Sequence, residues 1–185
     1  MDFEVTRLAI EAVQIVQPTR VTDQRGSFTE LWNKRRYSDA GIDADFVQEN
    51  SSLSRLPGTI RGLHYQRPPA AQAKLIRVVH GRAFHVAVDL RRASATYGGF
   101  VSAELSAERG AKLFIPIGFA HGFCTLEPET EVVYKVTHFY APELDTGILW
   151  NDPGLAIPWP LAGRAPTLSA RDLTLPRLQD VPSPF

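Results

Sequence analysis

Proline and glycine punctuate this chain at short intervals, and that punctuation excludes most ways of folding it. Fourteen prolines and thirteen glycines are spread over 185 residues. They fall in turn-like clusters and separate runs rich in Val, Ile, Phe and Tyr, each run the length of a strand and too short for a helix bundle. The pattern predicts an all-β sandwich or barrel of short strands, with short peripheral helices. The one good helical stretch is 34–40, with Gly41 as its stop signal. A last short turn starts at Ser169, where Ser169-Ala170-Arg171-Asp172 resembles a capping box with Asp in place of Glu.

In order, 5–17 reads as an opening strand or two ended by Pro18, and Asp23-Gln24-Arg25-Gly26 as a polar turn exposing Arg25 before a strand at 27–32. The stretch 46–52 alternates, with Gln48, Asn50 and Ser52 on one face and Val47, Glu49 and Ser51 on the other. Strands at 74–79 and 83–90 flank His80-Gly81-Arg82, read as a hairpin turn. That register sets Val78 opposite His85 and Lys74 opposite Asp89. Strands at 99–105 and 112–115 follow, then a Pro116-Ile117-Gly118 turn. A long strand at 131–140 carries Tyr134, Val136, His138 and Tyr140 on one face. The tail after Trp150 is proline-rich and is expected to wrap the surface or a partner subunit, with Trp32, Trp150 and Trp159 to pin such loops.

The stretch that reads as a strand carrying chemistry is 59–66, Thr-Ile-Arg-Gly-Leu-His-Tyr-Gln. Strict alternation would put Arg61 and His64 on opposite faces, whereas a bulge at Gly62 would bring them to one side. Removing a proton beside a ketone needs a base near neutral pKa, a donor on the oxygen that becomes an enolate, and a second acid on the far side. His64, Lys74 and Tyr134 are the types for those posts, with Asp172 to orient the histidine. Each also has a plainer reading: His64 as a half-buried strand histidine, Tyr134 as a core aromatic, Lys74 as a solvated edge residue.

The histidines at 64, 80, 85, 121 and 138 raise a metal hypothesis, and Pro116-x-Gly118-x-x-His121 resembles the second histidine motif of metal-binding cupins. The first motif, a His-x-His pair with a following glutamate, is missing, so no metal or other cofactor is expected. Equal numbers of basic and acidic side chains, 20 each, give no global field for nucleic acid or an anionic membrane. The single cysteine, Cys124, excludes an internal disulfide, and the N-terminal stretch has neither a signal-peptide nor a membrane-span pattern. These features predict one cytoplasmic domain spanning 1–185.

Eight motifs in order then carry a resemblance. They are Asp23-x-Arg25-Gly26-x-Phe28-x-Glu30, Phe46-Val47-Gln48-Glu49-Asn50, Arg61-Gly62-Leu63-His64-Tyr65-Gln66, Ala71-Gln72-Ala73-Lys74, the run from Pro116 to Phe123, Tyr134-Lys135-x-Thr137, Trp150-Asn151-Asp152-Pro153, and Ser169-x-Arg171-Asp172. Together they resemble the dTDP-4-dehydrorhamnose 3,5-epimerases. The resemblance implies a cupin-type jelly roll, a homodimer, and metal-free epimerisation of a dTDP-4-keto-6-deoxyhexose. It makes His64 the base, Asp172 its partner, Tyr134 the acid and Lys74 the group beside the keto oxygen. Arg25, Phe28, Glu30, Gln48, Glu49, Asn50, Arg61, His121, Asp145 and Arg171 match substrate-binding positions, and Tyr140 the ring that stacks on thymine.

Three departures stand out. The family usually has Asp where this chain has His85, a polar residue where it has His138, and Glu where it has Asp145. His85 and His138 are therefore candidate specificity residues, expected to line the pocket. Loss of negative charge there is expected to lower the pKa of Lys74. Epimerisation at one carbon only, another nucleotide sugar, a metal-dependent cupin and a catalytically idle sugar-binding module remain the alternatives.

Overall fold

In the computed structural model, which describes residues 2–182 and 185, the chain runs through strands β1 (Phe3–Arg7), β2 (Gln14–Pro18), β3 (Val21–Asp23) and β4 (Gly26–Phe28) to helix α1 (Lys34–Asp39). It continues with β5 (Gln48–Ser54), β6 (Ile60–Gln66), β7 (Lys74–His80), β8 (Arg82–Asp89), β9 (Phe100–Ser106), β10 (Lys112–Ile115), β11 (Phe119–Thr125), β12 (Thr130–Val136) and β13 (Asp145–Gly147). A 3₁₀ turn at Leu178–Asp180 closes the tail.

Two antiparallel sheets, ordered β1-β2-β10-β7-β12-β5 and β13-β6-β11-β8-β9, face one another. This is the all-β jelly roll expected. Strand alternation builds the core between them: Ile76, Val78, Leu113, Ile115 and Val132 from the first sheet meet Ala83, Ala87, Val101, Leu105, Phe119 and Phe123 from the second. The outer face of the second sheet, with Val86, Val88 and Ala120, lies under the tail through Leu155, Ile157 and Trp159. That of the first, with Val16, Leu75 and Phe114, lies under α1 through Tyr37. Covered on both faces, β11 is buried at every position. Helix α1 starts where Asn33 accepts the N–H of Arg36 at 3.3 Å, and Gly41, at φ 84°, turns the chain out of it.

Three expectations are corrected. His80-Gly81-Arg82 is no hairpin turn: β7 and β8 sit in different sheets, so Val78 faces Ala83 and Ala87 across the core and shares no ladder with His85. The strand from 27 stops at Phe28 rather than reaching 32. The strand from 131 ends at Val136 because side chains distant in sequence take over the backbone partners of the next residues. Thr137 still pairs with Ala73, its N–H donating to the Ala73 carbonyl at 3.2 Å, but beyond it Gln72 donates to the carbonyl of His138, Gln66 donates to that of Phe139, and Gln48 accepts from the N–H of Tyr140. The capping-box-like segment is a turn, with Ser169 Oγ accepting from the N–H of Asp172 at 3.1 Å.

Candidate active site

At one end of the sandwich the apolar filling gives way to polar side chains around an open cavity of about 620 Å³. Its walls come from both sheets and from the loops after β12 and after Thr167. On β6, Arg61 is opposite Phe123 and His64 opposite His121, so two residues of β6 oppose Gly122 alone. That is the bulge expected at Gly62, and it turns Arg61 and His64 into one cavity. Only glycine fits there. A Cβ would lie 2.6 Å from the Cα of Gly122 and 2.7 Å from the carbonyl oxygen of His121, at φ 119°.

Asp172 reaches His64 from the far end of the chain. Thr167 bridges in parallel to Thr59 at the start of β6, and Ile60 N–H donates to Thr167 O at 2.9 Å. This pins the turn that presents Asp172, whose Oδ1 lies 2.6 Å from His64 Nε2. Burial by itself would raise the Asp172 carboxyl. The hydrogen bond and charge of His64, with Ser169 and the N–H of Gly62, outweigh it and hold the carboxyl below its usual value. A carboxylate accepts, so Nε2 carries a proton and Nδ1 keeps the lone pair, which is the arrangement of an oriented base.

Tyr134 stands on β12, in the sheet opposite β6, with Asn50 as its ladder partner. Burial, with Asp145 adding to it, raises the phenol above its usual value against the lowering effect of Arg61 and Asn50, so it is a neutral proton donor. Lys74 begins β7 on the inner face, buried, with Nζ 3.5 Å from the carbonyl of His64. Burial lowers its pKa to about 8, against the opposing pull of Asp145. Desolvation is thus the main cause of the shift.

Toward the mouth, Asp145 accepts from Arg171 at 2.6 Å and from the hydroxyl of Tyr140 at 3.3 Å. Gln48, which holds the backbone of Tyr140, also donates to Asn50 at 2.9 Å. Arg61 is anchored by Ser54 Oγ at 3.1 Å and the carbonyl of Leu53 at 3.0 Å. The mouth therefore offers guanidinium groups and one aromatic face, the groups that suit a diphosphate and a base.

Gln48, Asn50, Arg61, His64, Lys74, His121, Tyr134, Tyr140, Asp145, Arg171 and Asp172 all line this cavity. The other candidates do not. Glu49 points to the opposite face of β5, as alternation requires, and pairs with Lys135 at 3.1 Å. His138 lies past the end of β12, exposed on the loop, with Nδ1 3.0 Å from the carbonyl of Phe139. His85 faces inward but sits behind the wall, against His121 and Phe123. Arg25 and Phe28 belong to a two-stranded ribbon joined to neither main sheet, and Glu30 pairs with Arg36. Gln66, buried at 3% exposure, escaped functional notice, yet it ties the loop bearing Tyr140 to β6 through Ala70, Phe139 and Ala141. Its signals were a glutamine closing a largely apolar strand and its place at the end of the motif running from Arg61. Among the described residues no group of three or more His, Cys, Asp or Glu is placed to hold a metal ion, and no helix is long and apolar enough to cross a membrane.

The chain is similar to known proteins along nearly its whole length. The family model described as dTDP-4-dehydrorhamnose 3,5-epimerase matches residues 7–180. The chain is 49% identical over 171 residues to the dTDP-4-dehydrorhamnose 3,5-epimerase of Pseudomonas aeruginosa, covering 92% of this chain and 93% of the relative. It is 46% identical over 178 residues to that of Sinorhizobium fredii, covering 96% and 91%. Among solved structures it is similar to the dTDP-6-deoxy-D-glucose-3,5-epimerase of Legionella pneumophila in complex with dTDP-4-keto-L-rhamnose, with a TM-score of 0.93, 40% identity and coverage of 98% and 95%.

Proposed function

The chain belongs to the dTDP-4-dehydrorhamnose 3,5-epimerase family, and from that premise we propose that it inverts C3 and C5 of a dTDP-4-keto-6-deoxyhexose bound in this cavity. His64, held by Asp172, removes the proton from the carbon beside the C4 ketone through Nδ1. The electron pair moves onto the keto oxygen, where the Lys74 ammonium stabilises the enolate. The Tyr134 hydroxyl then delivers a proton to the opposite face of the carbon. C3 and C5 both flank C4, so the same groups serve both after the ring shifts in the site. The observation that carries this reading is the placement of His64 and Tyr134 on facing sheets across one cavity.

Arg171 and Arg61 are assigned to the diphosphate and Tyr140 to the thymine, with Gln48, Asn50, His121 and Asp145 arranged around sugar and nucleotide. Arg25, Phe28 and Glu30 do not line their own cavity. Their binding role is proposed to be met in a homodimer, each ribbon reaching the partner's site. The enzyme is read as cytoplasmic and as working without metal, nucleic acid or membrane.

Proton NMR of dTDP-4-keto-6-deoxyglucose in deuterium oxide tests the chemistry by following the C3 and C5 signals separately. Loss of both is expected with the native protein and neither with His64→Asn, while that variant keeps its affinity for dTDP. Native-rate exchange in His64→Asn would overturn the base assignment, and exchange at one carbon alone would replace double by single epimerisation.

A further inference from the structure

One buried pair, His121 on the wall of the site and His85 behind it, takes no part in the proton transfers drawn above. His85, on β8, is fully buried, with Phe123 and Ala103 as its neighbours in the adjoining strands. Its Nδ1 lies 3.1 Å from Nε2 of His121, and the two rings are within 9° of parallel. His85 Nε2, by contrast, is closed off and has no hydrogen-bond partner among the described residues. His121 stands on the cavity wall, and its Nδ1 bonds to nothing among the described residues.

A bond between two imidazole nitrogens needs one proton between them, and there are two ways to supply it. If His121 donates from Nε2, neutral His85 must carry its own proton on Nε2, leaving a buried N–H with no acceptor. If His85 donates from Nδ1, its Nε2 is only a bare lone pair. Orphaned buried N–H groups are the rarer defect, so the second arrangement is favoured. We infer that His85 is a positioning residue that fixes His121 as its Nδ1–H tautomer, an uncharged donor facing an oxygen acceptor of the ligand beside Lys74 and His64.

The surroundings agree. The groups acting on His121 are Lys74 on β7, His85 on β8 and His64 on β6, and together with burial they hold it well below the usual histidine range. Burial brings His85 to about 3. Two neutral rings add no further positive charge beside the Lys74 ammonium, which is left free to face a developing enolate. The ligand as a sugar ketone rests on the function proposed above, whereas the tautomer does not.

Two-bond proton–nitrogen correlation spectra of the ligand-free, ¹⁵N-labelled protein decide the tautomer without any substrate. His121 and His85 are each expected to carry their proton on Nδ1, and a proton on His121 Nε2 would overturn the inference. The His85→Asp variant extends the test, because a carboxylate can only accept. It should move the His121 proton to Nε2 and raise its pKa by about one to three units. It should also add an ionisation to the pH profile of kcat/KM that the native enzyme lacks. A folded His85→Asp protein with unchanged tautomer and unchanged profile would show that residue 85 merely fills space.

Discussion

At the scale of single residues, the cavity holds titratable groups whose burial shifts their protonation. Lys74 is the clearest case: burial lowers its pKa to about 8, so its ammonium is present below that pH and is lost as pH rises through it. If the ammonium stabilises the enolate, kcat/KM should fall on the alkaline side with a midpoint near 8. Lys74→Arg, whose charge persists, should flatten that limb even where it slows turnover. An unchanged limb in Lys74→Arg would assign the ionisation elsewhere. Tyr140 acts differently. Its exposed ring at the mouth, held through Asp145 and Gln48, offers a stacking surface and no proton chemistry. Tyr140→Ala should weaken dTDP binding by about 1–3 kcal/mol in a titration, with kcat little changed. The sequence named Tyr140 through resemblance alone, since parity along an assumed long strand put it on the Tyr134 face for the wrong reason. Lys74 by itself reads as an edge lysine, because local pattern does not reveal that both faces of its strand are covered.

At the scale of elements, the bulge in β6 was legible and the crossover after β7 was not, and the contrast has a physical cause. Gly62 interrupts a largely apolar strand between Arg61 and His64, a local signal that the chain kinks there. His80-Gly81-Arg82 carries an equally strong local turn signal. Whether the chain returns along the same ladder or crosses to a facing sheet depends on what packs between the strands, here Ile76 and Val78 against Ala83 and Ala87. The overrun of β12 has a similar origin. Its stop is set by Gln48, Gln66 and Gln72, far away in sequence, rather than by proline or glycine. The bulge also makes a sharp prediction. Gly62→Ala would place a methyl 2.6 Å from the Gly122 Cα in a left-handed backbone. The variant should lose roughly 3 kcal/mol in denaturant unfolding. Epimerisation should fall further than stability explains, because Arg61 and His64 would no longer share the cavity. A Gly62→Ala protein with native midpoint and rate would refute this account of the bulge.

At the scale of the whole molecule, short strands between turns fixed an all-β fold, and alternation fixed which side chains look inward. What no reading of one chain supplies is a partner. The β3–β4 ribbon stands apart from both main sheets, with Val21 51% and Phe28 66% exposed. The edge strand β5 likewise leaves Leu53 half-exposed. If a second copy covers these surfaces in a two-fold dimer, each ribbon completes the partner's site and the two sites share residues between subunits. Complementation measures this directly. Arg25→Ala damages the ribbon and His64→Asn the base, so each variant alone should turn over little or nothing. In mixed dimers, isolated by two different affinity tags, one site combines an intact His64 with an intact Arg25 from the other subunit. Such dimers should regain about half the native activity per dimer, as isologous pairing requires. If each ribbon served its own subunit's cavity, every site in the mixed dimer would still carry one of the two lesions, and activity would stay at the level of the parents.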